Sequence, residues 1–228
     1  MKIDETFLPE GALAPPPQPD GIRVGAFQPR SLVAGPGMRA VVWVAGCLRR
    51  CPSCMKPELF AFDAGTFNSI DRLASRILDV RGLEGVTYSG GEPFEQALPL
   101  ASLSRILRAA GLSVLVYSGY RLEALREQEK FRCLLDAIDI LIDGEYRHDL
   151  SGPLRWRGSP NQRIHVLSAR GGMAPFVSDH VCEVQASITP AAMRLTGFPN
   201  AEIQHELTVR LASRGILMKP ADLGDTGL

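Results

Sequence analysis

The stretch "GPGMRAVVWVAGCLRRCPSC", Gly35 to Cys54, decides how the rest of the chain is read. Its middle part, "MRAVVWVAG", is a short apolar run rich in β-branched residues and ends in glycine, which predicts a buried strand. Directly beyond it stand Cys47, Cys51 and Cys54, spaced C-x3-C-x2-C with no fourth cysteine close by. The thiols therefore start in the loop at the C-terminal end of a strand. A structural zinc site closes its tetrahedron with four protein ligands, and a [4Fe-4S] cluster held by four cysteines is likewise complete. Three thiolates leave one metal position for an exogenous ligand, so the incomplete set implies a bound substrate or cofactor. Zinc completed by a distant histidine satisfies the same ligand spacing.

Strand and helix patterns alternate outward from this point. "IDRLASRILDV" places Ile70, Leu73, Ala74, Ile77 and Leu78 on one helical face, with Asn68 or Ser69 available as a cap. "GVTYSGG" then predicts a strand, "ALPLASLSRILRAAG" a helix stopped by Gly111, "LSVLVYSGY" a strand, and Leu122 to Asp136 a helix. "AIDILIDGEY" and "RIHVLSA" complete the strands. This alternation implies an α/β fold with a parallel sheet and right-handed crossovers. In such folds chemistry gathers at the C-terminal ends of strands. The unusual residues fall there: the cysteines after the first strand, "SGGEPFE" after the second, "SGY" after the third and "DGEY" after the fourth.

Composition narrows the function classes. The 228 residues carry 25 basic and 25 acidic side chains, so no net charge argues for a nucleic-acid or anionic-membrane footprint. No apolar run approaches the ~20 residues of a membrane helix, and no signal peptide is legible, which predicts a cytoplasmic protein. Five cysteines, an odd number with three crowded together, suit a reducing compartment and metal binding better than a disulfide framework. The proline-rich "GALAPPPQPDG" marks residues 1–26 as an arm or linker.

The motifs in register resemble a known family. Cys47, Cys51 and Cys54 joined to "YSGGEPFEQ" are similar to the radical S-adenosylmethionine superfamily. The order "GPGMRAVVWVAGCLRRCPSC", "YSGGEP", "VYSGY", "IDILIDGEY", "RWRGSPNQ" resembles the activating proteins of anaerobic ribonucleotide reductase, from about Phe27 to Leu167. The resemblance implies an incomplete (β/α) barrel core over residues 27–168 and a C-terminal extension of unassigned role over 169–228. It also implies a [4Fe-4S] cluster on Cys47, Cys51 and Cys54, with S-adenosylmethionine chelating the fourth iron. Ser89, Gly90, Gly91, Glu92 and Pro93 then match the segment that receives the methionine ammonium. Ser118 and Gly119 match the strand end near methionine or ribose, and Asp143 a polar position near the methionine. The implied activity is reductive cleavage of S-adenosylmethionine to a 5'-deoxyadenosyl radical. That radical would install a glycyl radical on a partner enzyme, with a flavodoxin- or ferredoxin-type electron donor. Alternatives are a radical enzyme acting on a small molecule or peptide, and a non-catalytic zinc-binding module.

Other features have plainer readings. Ser53 stands where the superfamily often has an aromatic residue, a departure that fits the activase branch. Cys133 and Cys182 read as inert apolar thiols, and His148, His165, His180 and His205 show no ligand spacing. Arg49 and Arg50 read as solvated, or as offsetting cluster charge or meeting an acidic electron donor. "RWRGSPNQR", with an exposed-looking Trp156, reads as a partner surface or a structural turn. The tail predicts a strand and a capping helix, Ala201 to Arg214.

Overall fold

The computed structural model describes residues 20–52, 54–152, 154–171, 184–188, 193–198 and 201–215, so Ser53, His180 and Cys182 lie outside the described residues. Nine strands are described. They are β1 (Gly21–Ser31), β2 (Arg39–Val44), β3 (Thr66–Ser69), β4 (Gly85–Gly90), β5 (Ser113–Ser118), β6 (Ile140–Asp143), β7 (Arg163–Val166), β8 (Val184–Ile188) and β9 (Met193–Gly197). The helices are α1 (Ile70–Leu78), α2 (Ala97–Ala109), α3 (Leu122–Glu127), α4 (Glu129–Leu135) and α5 (Ala201–Ala212). Seven strands make one sheet in the order β3-β1-β2-β4-β5-β6-β7, and β8 and β9 form a separate hairpin.

The fold is mixed α/β. Strands β2, β4, β5 and β6 are parallel, as the alternating pattern predicts, but β1 and β7 pair antiparallel to their neighbours and β3 antiparallel to β1. The sheet is therefore not wholly parallel. Strands β6 and β7 have no helical crossover between them, and a returning connection without one leaves antiparallel pairing as the simple solution. Residue 26 falls inside β1, because "IRVGAF" continues past the prolines as a strand.

The parallel strands are apolar on both faces, as buried strands are. One face packs against α1, α2 and α4 through Val42, Val44, Val86, Tyr88, Val114, Val116 and Leu141. The other carries Val41 and Trp43, then Leu115, Ile140 and Ile142 with Trp156. Helix α1 starts at Ser69, whose hydroxyl accepts from the Arg72 amide at 3.3 Å, and buries Leu73, Ala74 and Ile77. Leu78, expected on that face, is 43% exposed. The helix predicted from Leu122 to Asp136 is two helices broken at Gln128, which is extended. Leu122 and Leu125 are buried before the break and Phe131 and Leu134 after it. A continuous helix cannot keep both pairs on one stripe, since its apolar residues recur every three or four positions.

Arg39 is fully buried at the start of β2. Its guanidinium donates to Thr87 Oγ1, Ser113 Oγ and the carbonyls of Pro36, Val86 and Ser113 at 2.7–3.0 Å. Burial lowers its pKa to about 10. Five acceptors around one cation join the N-terminal ends of β2, β4 and β5, which leaves the opposite strand ends for chemistry.

Candidate functional site

The three cysteines sit on a loop that closes on itself. The Gly46 amide donates to Leu59 O at 2.9 Å and the Cys47 amide to Phe60 O at 3.0 Å, so residues 47–60 leave and return at one point on the end of β2. The register Val44↔Gly90 brings the next strand's exit alongside. There the Gly91 amide donates to Val44 O at 2.7 Å and the Glu92 amide to Gly46 O at 2.8 Å. Gly90 has φ +103°, a conformation open to glycine, and a Cβ on Gly91 would stand 2.5 Å from Gly46 O. The paired glycines are thus required for the two loops to touch.

Glu92 fastens a third loop to these two. Its Oε1 accepts from the Phe94 amide (3.1 Å) and the Ser118 hydroxyl (3.0 Å), and its Oε2 from the Gly119 amide (2.8 Å). Burial pushes this carboxyl up to about 7, against the opposing pull of those three donors. Its lone pairs face protein donors, so its role in this geometry is to order the turn. Pro93 opens the one-turn 3-10 helix behind it. Gln96 completes the frame: its Oε1 accepts from the Arg23 amide, and its Nε2 donates to the carbonyls of Arg23 and Ala45, at 2.9–3.0 Å.

These loops enclose a cavity of about 130 Å³. Cys47, Cys51 and Cys54 line it together with Ser89, Gly90, Gly91, Glu92, Ser118 and Gly119. Pro93 and Asp143 do not reach its wall. Asp143 is fully buried beneath the rim, where it accepts from the Leu122 amide at 2.6 Å, from Arg163 through both carboxylate oxygens, and faces His165 Nε2 at 3.2 Å. Burial pushes its carboxyl up, but the Arg163 hydrogen bonds, Leu122 and His165 outweigh that and hold it below the usual range.

Burial raises all three thiols, Cys47 to about 11 and Cys51 to about 12, with Glu145 adding to the rise at Cys51. Desolvated thiols of this kind are poor nucleophiles until a cation binds and displaces their protons. Among the described residues no three Cys, His, Asp or Glu side chains form a preformed metal-ligating group, and no histidine joins the thiols. The soft donor set, three sulfurs on the wall of one cavity, fits an iron–sulfur cluster. Arg49 lines the same wall. Its guanidinium lies 5.0 Å from the Tyr120 ring centre and 3.4 Å from Glu145, whereas Arg50 is exposed.

A family profile described as "4Fe-4S single cluster domain" matches residues 33–165. The chain belongs to the 4Fe-4S single cluster domain family. The relatives it resembles include the anaerobic ribonucleoside-triphosphate reductase-activating protein of Salmonella typhimurium, 34% identical over 155 residues, 64% of this chain and 99% of the relative. The protein of the same name from Escherichia coli K12 is 33% identical over 150 residues, 62% of this chain and 96% of the relative. That of Enterobacteria phage T4 is 33% identical over 144 residues, 60% and 88% of the two chains. In this 4Fe-4S single cluster family member, strands β8 and β9 and helix α5 lie beyond the matched span.

Several parts of this family member's site escape sequence reading. Gln96, Tyr120 and Glu145 stand inside the quoted "YSGGEPFEQ", "SGY" and "DGEY", but nothing in those stretches assigns them individually a part in the site. The "RWRGSPNQR" segment is a structural turn. Trp156 is 8% exposed and packs with Leu115, Ile140 and Ile142, while Gln162 ties Gly158 to Gly144 and Asn161 donates to Glu145 O. Cys133 is half-buried with its sulfur 3.7 Å from Lys130 O, away from the cavity. Among the described residues no helix is long and apolar enough to cross a membrane.

Proposed function

We propose that this protein is a radical S-adenosylmethionine activase that installs a glycyl radical on a partner enzyme of the anaerobic ribonucleotide reductase kind. The observation that carries the reading is the convergence of three thiols from the end of β2 with the β4 and β5 exits on one cavity, in a member of a 4Fe-4S family. Cys47, Cys51 and Cys54 would hold three irons and leave the fourth to the amino and carboxylate groups of S-adenosylmethionine. When bound, the cluster supplies the single electron that splits the sulfonium into methionine and a 5'-deoxyadenosyl radical, which takes a hydrogen atom from the target glycine.

The chain's own residues bind, orient and dry the site. Ser89, Gly90 and Gly91 line the cavity beside the thiols, where their backbone carbonyls would receive the methionine ammonium. Glu92 and Ser118 keep the β4 and β5 exits at a fixed spacing. Asp143 acts from behind by holding Leu122 and Arg163. Residues of the loop from Cys47 to Phe60 and the Tyr117–Phe198 pair line the cavity with apolar surface, which would limit water at the reacting centre. We assign residues 27–168 to the radical core, with the sheet curved as an incomplete barrel, and 169–228 to an extension. Arg49 offsets the charge of the thiolates, and a flavodoxin- or ferredoxin-type donor supplies the electron.

Anaerobic reconstitution with iron and sulfide, then dithionite and S-adenosylmethionine, tests this. The wild type is expected to turn brown and release 5'-deoxyadenosine, and Cys51→Ala to do neither while melting at an unchanged temperature. A colourless wild type with one tightly held zinc would refute the reading.

A further inference from the structure

A second cavity, about 200 Å³, lies on the sheet face away from the helices and adjoins the first. The two share Met55, Lys56, Ser89, Tyr117 and Phe198 in their walls. One side of it is built by the β8–β9 hairpin, outside the span matched by the family profile, through Leu195, Thr196, Gly197 and Phe198. The hairpin is docked by specific bonds. Thr196 donates to the buried Gln28, Gln185 Oε1 accepts from the Leu32 amide at 3.0 Å, and Gln185 Nε2 donates to Arg30 O at 3.1 Å. At its end the Phe198 ring meets Tyr117 at 5.9 Å between centres.

The walls restrict what this chamber takes. Thr87 is committed to Arg39 and to Ala34 O, and Lys56 pairs with Glu58 at the exposed rim, so the interior presents no unpaired charge. An anionic nucleotide or phosphate would find no counter-charge there. Polar capacity is left at Ser89 and Tyr117, whose side-chain hydroxyls make no hydrogen bond among the described residues and can meet a peptide backbone.

We propose that the β8–β9 hairpin is the specificity-determining wall of this chamber, which admits a slender uncharged peptide tip with glycine at its centre and refuses bulkier ones. The proposal deepens the activase reading and rests on it for the identity of the target atom. Phe198, at the junction of the two cavities, sets the width through which that glycine reaches the radical.

The test titrates the full chain calorimetrically with a glycine–serine heptapeptide and with the same peptide carrying leucine at its centre. The wild type is expected to prefer the glycine peptide by about tenfold or more, the range that one misplaced aliphatic group commands. Phe198→Ala and Thr196→Val should bring the two affinities together. Equal binding of both peptides by the wild type, or an unchanged preference in both variants, overturns the proposal. A parallel assay on reconstituted protein follows deuterium from the α-carbon of each peptide's central residue into 5'-deoxyadenosine. Label from the leucine peptide, only in the variants, is the expected result. Cluster absorbance is read separately, so a wild type that assembles no cluster refutes the activase reading without touching the binding result.

Discussion

The Glu92 carboxylate and the Ser118 hydroxyl lie 3.0 Å apart, and the same hydroxyl accepts from the Tyr120 amide at 3.1 Å. One acidic side chain thereby fixes the exit of β5 against that of β4. Since both exits line the cavity with the thiols, this contact sets part of the spacing of the site.

Glu92→Gln keeps the shape of the side chain but turns one acceptor into an NH2 group facing the Gly119 amide. A buried donor facing a donor costs about 1–3 kcal/mol, and the apo protein should melt correspondingly lower. The wild-type pKa of about 7 lies above the ordinary 4.5, so folding favours the protonated form. Its contribution is full below about pH 4.5 and is lost as pH rises through about 7. Urea unfolding of both proteins should show the wild-type advantage shrinking by about 3 kcal/mol across that window. A pH-independent difference contradicts the assignment.

Gly91→Ala drives a methyl group to within 2.5 Å of the Gly46 carbonyl, a backbone atom that cannot swing aside. The two loops must part, at a cost of about 1–3 kcal/mol. Iron bound after reconstitution is expected to drop several-fold, and S-adenosylmethionine affinity by about tenfold or more. Full iron content would show that the loops tolerate separation.

Arg39→Lys tests whether charge or geometry matters at the base of the sheet. A single ammonium cannot span five acceptors on two strands and the loop before β2. Both Arg39→Lys and Arg39→Leu should destabilise by about 3 kcal/mol or more, since each strands buried acceptors. Chemical denaturation measures this, and a near-native lysine variant would disprove it.

Arg163→Met removes the main partner of the buried Asp143. The carboxyl is held low in the folded protein, so its contribution is present above the ordinary 3.8 and disappears as pH falls through the folded value. The variant should lose about 2 kcal/mol near neutral pH, a figure discounted for the solvent around Arg163. Its acid unfolding midpoint should move up, as circular dichroism would show.

The central strands and the gathering of motifs at their ends were legible because both follow from local patterns: continuous apolar runs, helical stripes, and glycine pairs beside thiols. Strand β1 was not, because the prolines before it dominate its neighbourhood and its half-buried alternation is broken by Gly25. Trp156 looked exposed among arginines, yet its positive φ of 56° turns the ring under the sheet, which no sequence period encodes. Asp143 lies behind the cavity rather than on its wall, because its partners Arg163, His165 and Leu122 arrive through tertiary pairing of β6 and β7 and the start of α3. The hairpin's contacts span more than 150 positions of chain, a separation at which local reading has no purchase.

Gln96 binds the backbone of Arg23 on one side and Ala45 on the other. Residue 23 precedes the span shared with the family by ten positions. A fragment cut to the shared span would therefore keep every thiol and every glycine of the site and still lose the strand that shields the edge of β2. The natural unit for expression and crystallisation begins no later than Asp20, whatever the sequence likeness suggests.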